Sequence, residues 1–369
     1  MALREKKNLV NKVIETIKKY HLIETNDKLV LGVSGGPDSI SMLDILFKIK
    51  QNKQIQFDFV VAHVNHMIRE EAGEDEQYVK NYCMKNDIKF YSKSIDVQKI
   101  ANTNKIGTEE AGRNARYAFF DQILQEIGGN KIAIAHNKND KVETIIMNEL
   151  RGCGISGLKG IEPKREKYIR PLIECERKEI EQYCKENDIE PRIDQTNFEN
   201  IYTRNKIRNI VIPYIEKEFN PNIIKTIDRL SELVTEQEAY IETQVEKVYQ
   251  EILIEENKNK YILLDLKKFN KQEKVIKSNL ILYTITILFD TTKGIEKIHI
   301  EDIIRLCSHN IGNKFLMPNK HLKIFVQGGQ IKFSKEVWVA VTLYKVLENC
   351  NKKEIKKLLK KKKQYDKVL

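Results

Sequence analysis

Six consecutive residues, Ser34-Gly35-Gly36-Pro37-Asp38-Ser39, carry the most pointed chemistry in the chain. Adjacent glycines let a backbone close around an anion, the serines add hydroxyl donors, and Asp38 offers an oxygen ligand to Mg²⁺. The string lacks the Gly-Lys-Ser/Thr of a Walker loop and the alternating glycines of a dinucleotide fingerprint. Further along, Asp140 and Glu143 stand three apart at the start of a helical pattern, so both carboxylates share one face. They could hold Mg²⁺, orient an incoming amine, or simply favour a helix N-terminus. Arg113 and Arg116 share another face; Arg113 could stabilise charge on a reacting phosphate or pair with Glu109. The glycines of Arg151-Gly152-Cys153-Gly154 and Gly157 make a loop able to approach a ligand with bare backbone. Arg204 and Arg208 lie in a basic helical stretch that either covers the surface or meets a nucleotide or RNA phosphate.

These residues need elements to position them. The apolar run Leu29–Val33 reads as a buried strand that stops at the glycines, and Ile40, Leu43, Leu46 and Phe47 mark a helix after them. Strand, glycine loop and helix together aim backbone N–H groups and a helix N-terminus at one point, which suits a phosphate. Phe57–His66 is a second strand that turns polar at its carboxyl end, where open α/β sheets bind ligands. A helix through Glu70 to Asn86, a strand at Phe90–Ile95 and a helix capped by Thr108 follow. That helix buries Phe120, Ile123, Leu124 and Ile127. Lys131–Ala135 and Tyr168–Leu172 complete five strands, each followed by a helical pattern. The alternation predicts an α/β fold with a doubly covered parallel sheet over residues 1–213. Residues 214–335 read as a mostly helical domain with short β pieces near Pro318 and Gly328-Gly329. Residues 336–369 form a basic tail or a truncated C-terminal domain; 352–363 holds eight lysines and one acid.

A chain of 369 residues should hold two or three domains, and its 41% hydrophobic and 32% charged content is that of a soluble globular protein. No apolar run reaches the ~20 residues of a membrane span, and the N-terminus has no signal-peptide pattern, so the expected compartment is the cytoplasm. Six scattered cysteines without a Cys-x-x-Cys pair argue against zinc, a cluster or a disulfide framework. The net charge of +11 suits a polyanionic partner, though lysine enrichment of a surface would also produce it.

Taken in order, the motifs resemble the tRNA(Ile)-lysidine synthetase family of ATP pyrophosphatases. The resemblance rests on the 34–39 loop, His63-Val64-Asn65-His66, the Glu110–Tyr117 segment, Asp140 with Glu143, Arg151-Gly152-x-Gly154-x-x-Gly157-Leu158 and Arg204-Asn205. It implies that ATP·Mg²⁺ adenylates the C2 oxygen of the wobble cytidine in a CAU anticodon. Free L-lysine then displaces AMP. It further implies that Ser34, Gly35, Gly36, Pro37, Asp38 and Ser39 cradle pyrophosphate and metal, with Ala62 and His63 beside the adenosine. Arg113, Asp140 and Glu143 would flank the cytosine and lysine amine. His66, His136, Arg151, Gly152, Gly154, Arg204, Asn205 and Arg208 would contact substrate. A homodimer and no membrane are implied as well. The chain departs from the family pattern at Asn137 and Asn139, where a second histidine and a further aspartate are usual, and it ends earlier than members with an added C-terminal domain. A tRNA thiolase on the same fold and a basic RNA-binding protein with a vestigial nucleotide site are the competing readings.

Overall fold

The computed structural model describes residues 8–67, 72–192, 199–200, 202–308 and 314–335. Two compact units divide the chain, Met1–Thr235 and Glu236–Leu369. The expected tail at 336–369 and the expected helix start at Glu70 lie outside the described residues.

The first unit runs α1 (Leu9–Lys19), β1 (Asp27–Gly32), α2 (Pro37–Gln51), β2 (Phe57–Asn65), α3 (Ala72–Lys85), β3 (Phe90–Ser94), α4 (Val97–Asn104) and α5 (Thr108–Glu126). It continues through β4 (Lys131–Ile134), α6 (Lys138–Leu150), β5 (Lys164–Arg165), β6 (Tyr168–Ile169), α7 (Arg177–Glu186), α8 (Thr203–Lys206) and α9 (Ile212–Glu218) into α10 (Ile223–Ile252). The strands order as β3-β2-β1-β4-β6-β5. Pairing is parallel from β3 to β6, with Val30 opposite both Val60 and Ile132. From β1 the chain builds outward through β2 and β3, then returns to place β4 on the other side of β1. The point between β1 and β4 is therefore a topological switch, where an open α/β sheet leaves a crevice at its carboxyl edge.

Alternation along the buried strands splits the core. Leu29, Leu31 and Val33 pack with Ile40, Leu43 and Val79 on one face, while Val30, Val60 and Ala62 pack with Phe119, Phe120 and Ile123 of α5 on the other. The doubly covered sheet expected from the sequence is present, with two differences. The fifth strand is only Tyr168–Ile169: Arg170 still donates its N–H to Pro163 O, in register with the β5 pairing, but Pro171 has no N–H to carry the ladder on. It also carries an antiparallel partner, β5, on the sheet edge. Thr108 does not cap α5: Gly107 occupies the cap and Thr108 is the first helical residue.

The second unit contains most of the α10 hydrophobic face, then β7 (Leu253–Asn257), β8 (Tyr261–Asp265), α11 (Leu266–Asn270), α12 (Lys274–Phe289), α13 (Lys297–Ser308), β9 (Lys314–Asn319), β10 (Leu322–Gln327) and β11 (Gln330–Lys335). Its sheet is antiparallel, ordered β7-β8-β11-β10-β9, and packs Ile262, Leu264, Ile324 and Phe333 against Leu280, Ile281 and Ile303. Helices α10, α12 and α13 and the glycine hairpin were expected; α11, β7 and β8 were not. Among the described residues no helix is long and apolar enough to cross a membrane.

Candidate active site

Strand β1 delivers the glycine loop to the switch point. A Cβ on Gly32 would stand 2.6 Å from the Phe120 ring, so only glycine lets α5 pack this close. Gly35 has φ +92°, the left-handed conformation that turns the chain into α2. The Ser39 hydroxyl accepts the Ser34 and Gly35 N–H groups, both at 3.1 Å, and donates to Gly36 O at 3.0 Å. Outside the loop, Gly35 O is tied to the Arg192 N–H at 3.0 Å, and the Arg192 guanidinium pairs with Asp75 and Glu74. The loop's amides thus converge on one hydroxyl oxygen while a carbonyl is held away. That is the polarity an anion requires.

Strand β4 delivers the acids to the same crevice. Asn137 caps α6: its Oδ1 accepts the Asp140 N–H at 2.9 Å, and Asp140 Oδ2 accepts the Asn137 N–H at 3.0 Å. The cap also reaches the loop, since Asn137 Nδ2 donates to Asp38 Oδ1 at 2.8 Å. Helical spacing does put Asp140 and Glu143 on one face, and three guanidiniums meet them there. Arg208 donates to both oxygens of Glu143 at 2.7 Å and to Asp140 Oδ1 at 2.9 Å. Arg204 donates to Glu143 Oε2 at 3.1 Å, and Arg177 reaches Glu143 Oε1 at 3.3 Å from the other side. Glu143 is completely buried. Three arginines against Asp38, Asp140 and Glu143 balance the charge that such burial would otherwise forbid.

Burial, and next the Asp140 charge, push the Asp38 carboxyl up to about 6, against the opposing pull of Arg177, the Asn137 hydrogen bond and Arg208. At Arg208 burial works against the charge, but its bonds to Glu143 and the nearby Asp140 and Asp38 outweigh it, so its pKa lies above the ordinary value. Asn139 accepts the N–H of Arg177, the first residue of α7, at 2.9 Å and so ties that helix to the start of α6.

His136 accepts from Arg170 Nε at 3.2 Å through Nδ1. Burial first, then the charges of Arg170, Arg204, Arg113 and Arg116, push its pKa down to about 3. The unfolded chain, with an ordinary histidine near 6.5, binds a proton over a range where the folded one does not. Stability should therefore fall as pH drops below about 6.5, at no more than about 1.4 kcal/mol per pH unit from this group. Urea unfolding at pH 7 and pH 5 tests this: His136→Gln should flatten the difference by about 1–2 kcal/mol. An unchanged difference would contradict it.

The remaining expected site residues fall into three groups. Ala62 and His63 are buried at the end of β2, where His63 Nδ1 faces Val33 O at 2.9 Å, one residue before the loop. His66 packs beside Gly112 at the start of α5, and burial, aided by Arg116, pushes its pKa down to about 4. Arg113 does not join the acids. It is exposed and lies over the Tyr117 ring, 5.0 Å from its centroid, with electrostatic reach to His136. Arg151 ends α6, and Gly152 (φ +75°) and Gly154 lead the exposed loop after it. Asn205 donates to Glu199 O at 2.8 Å.

Arg177 and Asp228 were not singled out from the sequence. Both carboxylate oxygens of Asp228, on α10, are taken by α6: Lys138 at 2.6 Å and Lys141 at 2.9 Å. Two lysines at a helix N-terminus oppose its dipole, so an acid facing them was the available signal. Nothing local marks Arg177.

An anion loop after β1, with an acid-bearing helix brought beside it by β4, defines a nucleotide-binding α/β protein of the PP-loop class, and residues 5–215 match the PP-loop domain family. A tRNA(Ile)-lysidine synthase from Clostridium acetobutylicum is 45% identical over 313 residues, 84% of this chain and 67% of that protein. One from Caldanaerobacter subterraneus subsp. tengcongensis is 42% identical over 311 residues (84% and 66%), and one from Clostridioides difficile 39% over 330 (89% and 71%). The chain belongs to the tRNA(Ile)-lysidine synthase family. It spans about two thirds of the length of these relatives. A solved U34-tRNA thiolase from Methanococcus maripaludis shares the fold, with TM-score 0.50 and 19% identity over 61% of this chain and 78% of that one.

Proposed function

We propose that the protein ligates L-lysine to C2 of the wobble cytidine of tRNA(Ile) bearing a CAU anticodon, acting in the cytoplasm as a homodimer. The observation that supports this most is the meeting of loop and acids at the β1/β4 crevice, tied by the Asn137–Asp38 hydrogen bond. The loop amides and Ser34 and Ser39 hydroxyls would take the β and γ phosphates. Mg²⁺ usually binds one or two carboxylates together with phosphate oxygens, and Asp38, with one oxygen on Asn137 and the other remaining, fits that role. Bound there, the ion would neutralise phosphate charge. In the first step the cytidine O2 attacks the α phosphorus and the bond to the β phosphate oxygen breaks, releasing pyrophosphate. In the second the lysine ε-nitrogen attacks C2, the C2–O bond breaks, and AMP leaves.

The acids divide the work in that second step. Glu143, held on both oxygens, keeps three guanidiniums in place. Asp140 lies nearer the rim and would meet the lysine ammonium and accept its proton. Residues 214–335 would hold the tRNA body. Arg113, free of the acid cluster, would face the reacting phosphate, so Arg113→Ala should lower turnover more than ATP affinity; a pure affinity loss would contradict that role. The direct test is transfer of labelled lysine to tRNA in the presence of ATP and Mg²⁺. Label should enter tRNA with a CAU anticodon and not a transcript in which the wobble cytidine is replaced. Equal consumption of ATP with both RNAs, with no lysine entering either, would overturn the reading. Thiolation is disfavoured because it calls for paired sulfur carriers: among the described residues Cys83, Cys175, Cys184 and Cys307 are buried, and Cys153, exposed in the glycine loop, has no second exposed thiol to work with.

A further inference from the structure

Asn137 makes four hydrogen bonds, and three of them belong to the start of α6, one being its carbonyl accepting the Lys141 N–H at 3.2 Å. The cap needs its side-chain oxygen to accept the Asp140 N–H and its own N–H to reach Asp140 Oδ2. With the oxygen so engaged, the amide's NH₂ end is forced toward Asp38, and its 2.8 Å contact to Oδ1 is a donation to a carboxylate. Asn137 is fully buried and Asp38 partly so, which shields the contact from the Asn137 side. Aspartate would cap α6 equally well but carries no donor, and a capping serine hydroxyl is too short to reach Asp38. A cap is thus also a brace between the acid helix and the nucleotide loop.

We propose that Asn137 is a positioning residue for Asp38: by engaging one carboxylate oxygen it fixes the side chain so that the other meets the cation of the bound Mg²⁺·triphosphate. The proposal rests on the nucleotide-binding reading of the loop. Asn137 touches no substrate. It acts on the metal requirement through Asp38, and its loss leaves the carboxylate free to rotate among its staggered positions.

The test separates brace from cap. Asn137→Ser keeps a capping hydroxyl and loses the reach to Asp38, whereas Asn137→Ala loses both. Thermal unfolding reports the cap. Binding of a fluorescent N-methylanthraniloyl ATP, titrated with Mg²⁺ at a temperature where both variants are folded, reports the brace. Asn137→Ser should unfold near the wild-type temperature yet need about five- to tenfold more Mg²⁺ for half-maximal nucleotide binding, and Asn137→Ala should need as much with a lower unfolding temperature. A wild-type Mg²⁺ requirement in Asn137→Ser would overturn the proposal, as would a raised requirement confined to Asn137→Ala. If the wild-type protein bound no nucleotide at any Mg²⁺ concentration, the loop reading would fall and the proposal with it. Normal wild-type binding with an unaltered Asn137→Ser would remove the brace alone.

Discussion

Asp38→Ala should lower pyrophosphate release by about a thousandfold while leaving tRNA affinity within a factor of about two. A carboxylate that holds the cation against a triphosphate contributes several kcal/mol to the charge developing in the transition state, and each 1.36 kcal/mol is tenfold in rate. RNA affinity rests instead on phosphate contacts with lysines and arginines, which this change does not touch. Stability gives a second sign to check. Burial and the Asp140 charge raise the folded Asp38 pKa to about 6. A group raised in the folded state stabilises fully below its unfolded value and loses that contribution as pH rises through the folded one. At pH 8 the ionised carboxylate is therefore a burden, and alanine, despite leaving the Asn137 amide without this partner, should unfold no earlier than wild type. Undiminished turnover would remove Asp38 from the chemistry. A parallel loss of tRNA binding and stability would mean that the variant is misfolded.

Glu143→Ala should have the largest effect on the fold. Its carboxylate holds Arg208 on both oxygens and Arg177 and Arg204 on one each, with no solvent access. Removing the anion leaves three guanidiniums facing one another with Asp140 as their remaining acid, and breaking a buried pair from one side typically costs about 3–5 kcal/mol. Urea unfolding should show a loss of that order and lysine transfer should vanish. Glu143→Gln keeps the volume and one acceptor oxygen, but turns an amide NH₂ toward guanidinium donors. It should lose less stability while still reducing lysine transfer by at least about a hundredfold, because displaced arginines no longer frame Asp140. An alanine variant within about 0.5 kcal/mol of wild type would contradict the cluster's structural role.

Local pattern made part of this site legible. Glycines after an aliphatic run announce a turn into a helix N-terminus, and three-residue spacing announces that Asp140 and Glu143 share a face; both geometries are present in the structure. The meeting of the two does not follow from either pattern. It needs β4 beside β1, a crossover that strand–helix alternation permits without specifying. Arg177, Arg204 and Arg208 come to Glu143 from 34, 61 and 65 residues away, so their spacing within the chain carries no trace of the shared partner. Arg204 and Arg208 read as surface or phosphate-facing residues because a basic helical stretch usually is one; here their heads turn inward while Ile207 and Ile212 of the same segment enter a small core with Val142 and Ile146. Asn137 read as a departure from pattern, whereas its geometry gives it a cap and a brace that histidine would fill differently. Strand β5, two residues on the sheet edge, is too short for any periodicity to register, and β6 was legible but overdrawn by three residues.

The central claim is that main-chain amides of residues 34–39 hold a triphosphate so that its innermost phosphorus passes to an RNA base. The most direct measurement uses ATP labelled at the α phosphorus and CAU-anticodon tRNA, with lysine withheld. Label should accumulate on the RNA at the wobble cytidine and be released as AMP when lysine is added. RNA that stays unlabelled while lysine is nevertheless incorporated, or label carried by the protein instead, would contradict the account.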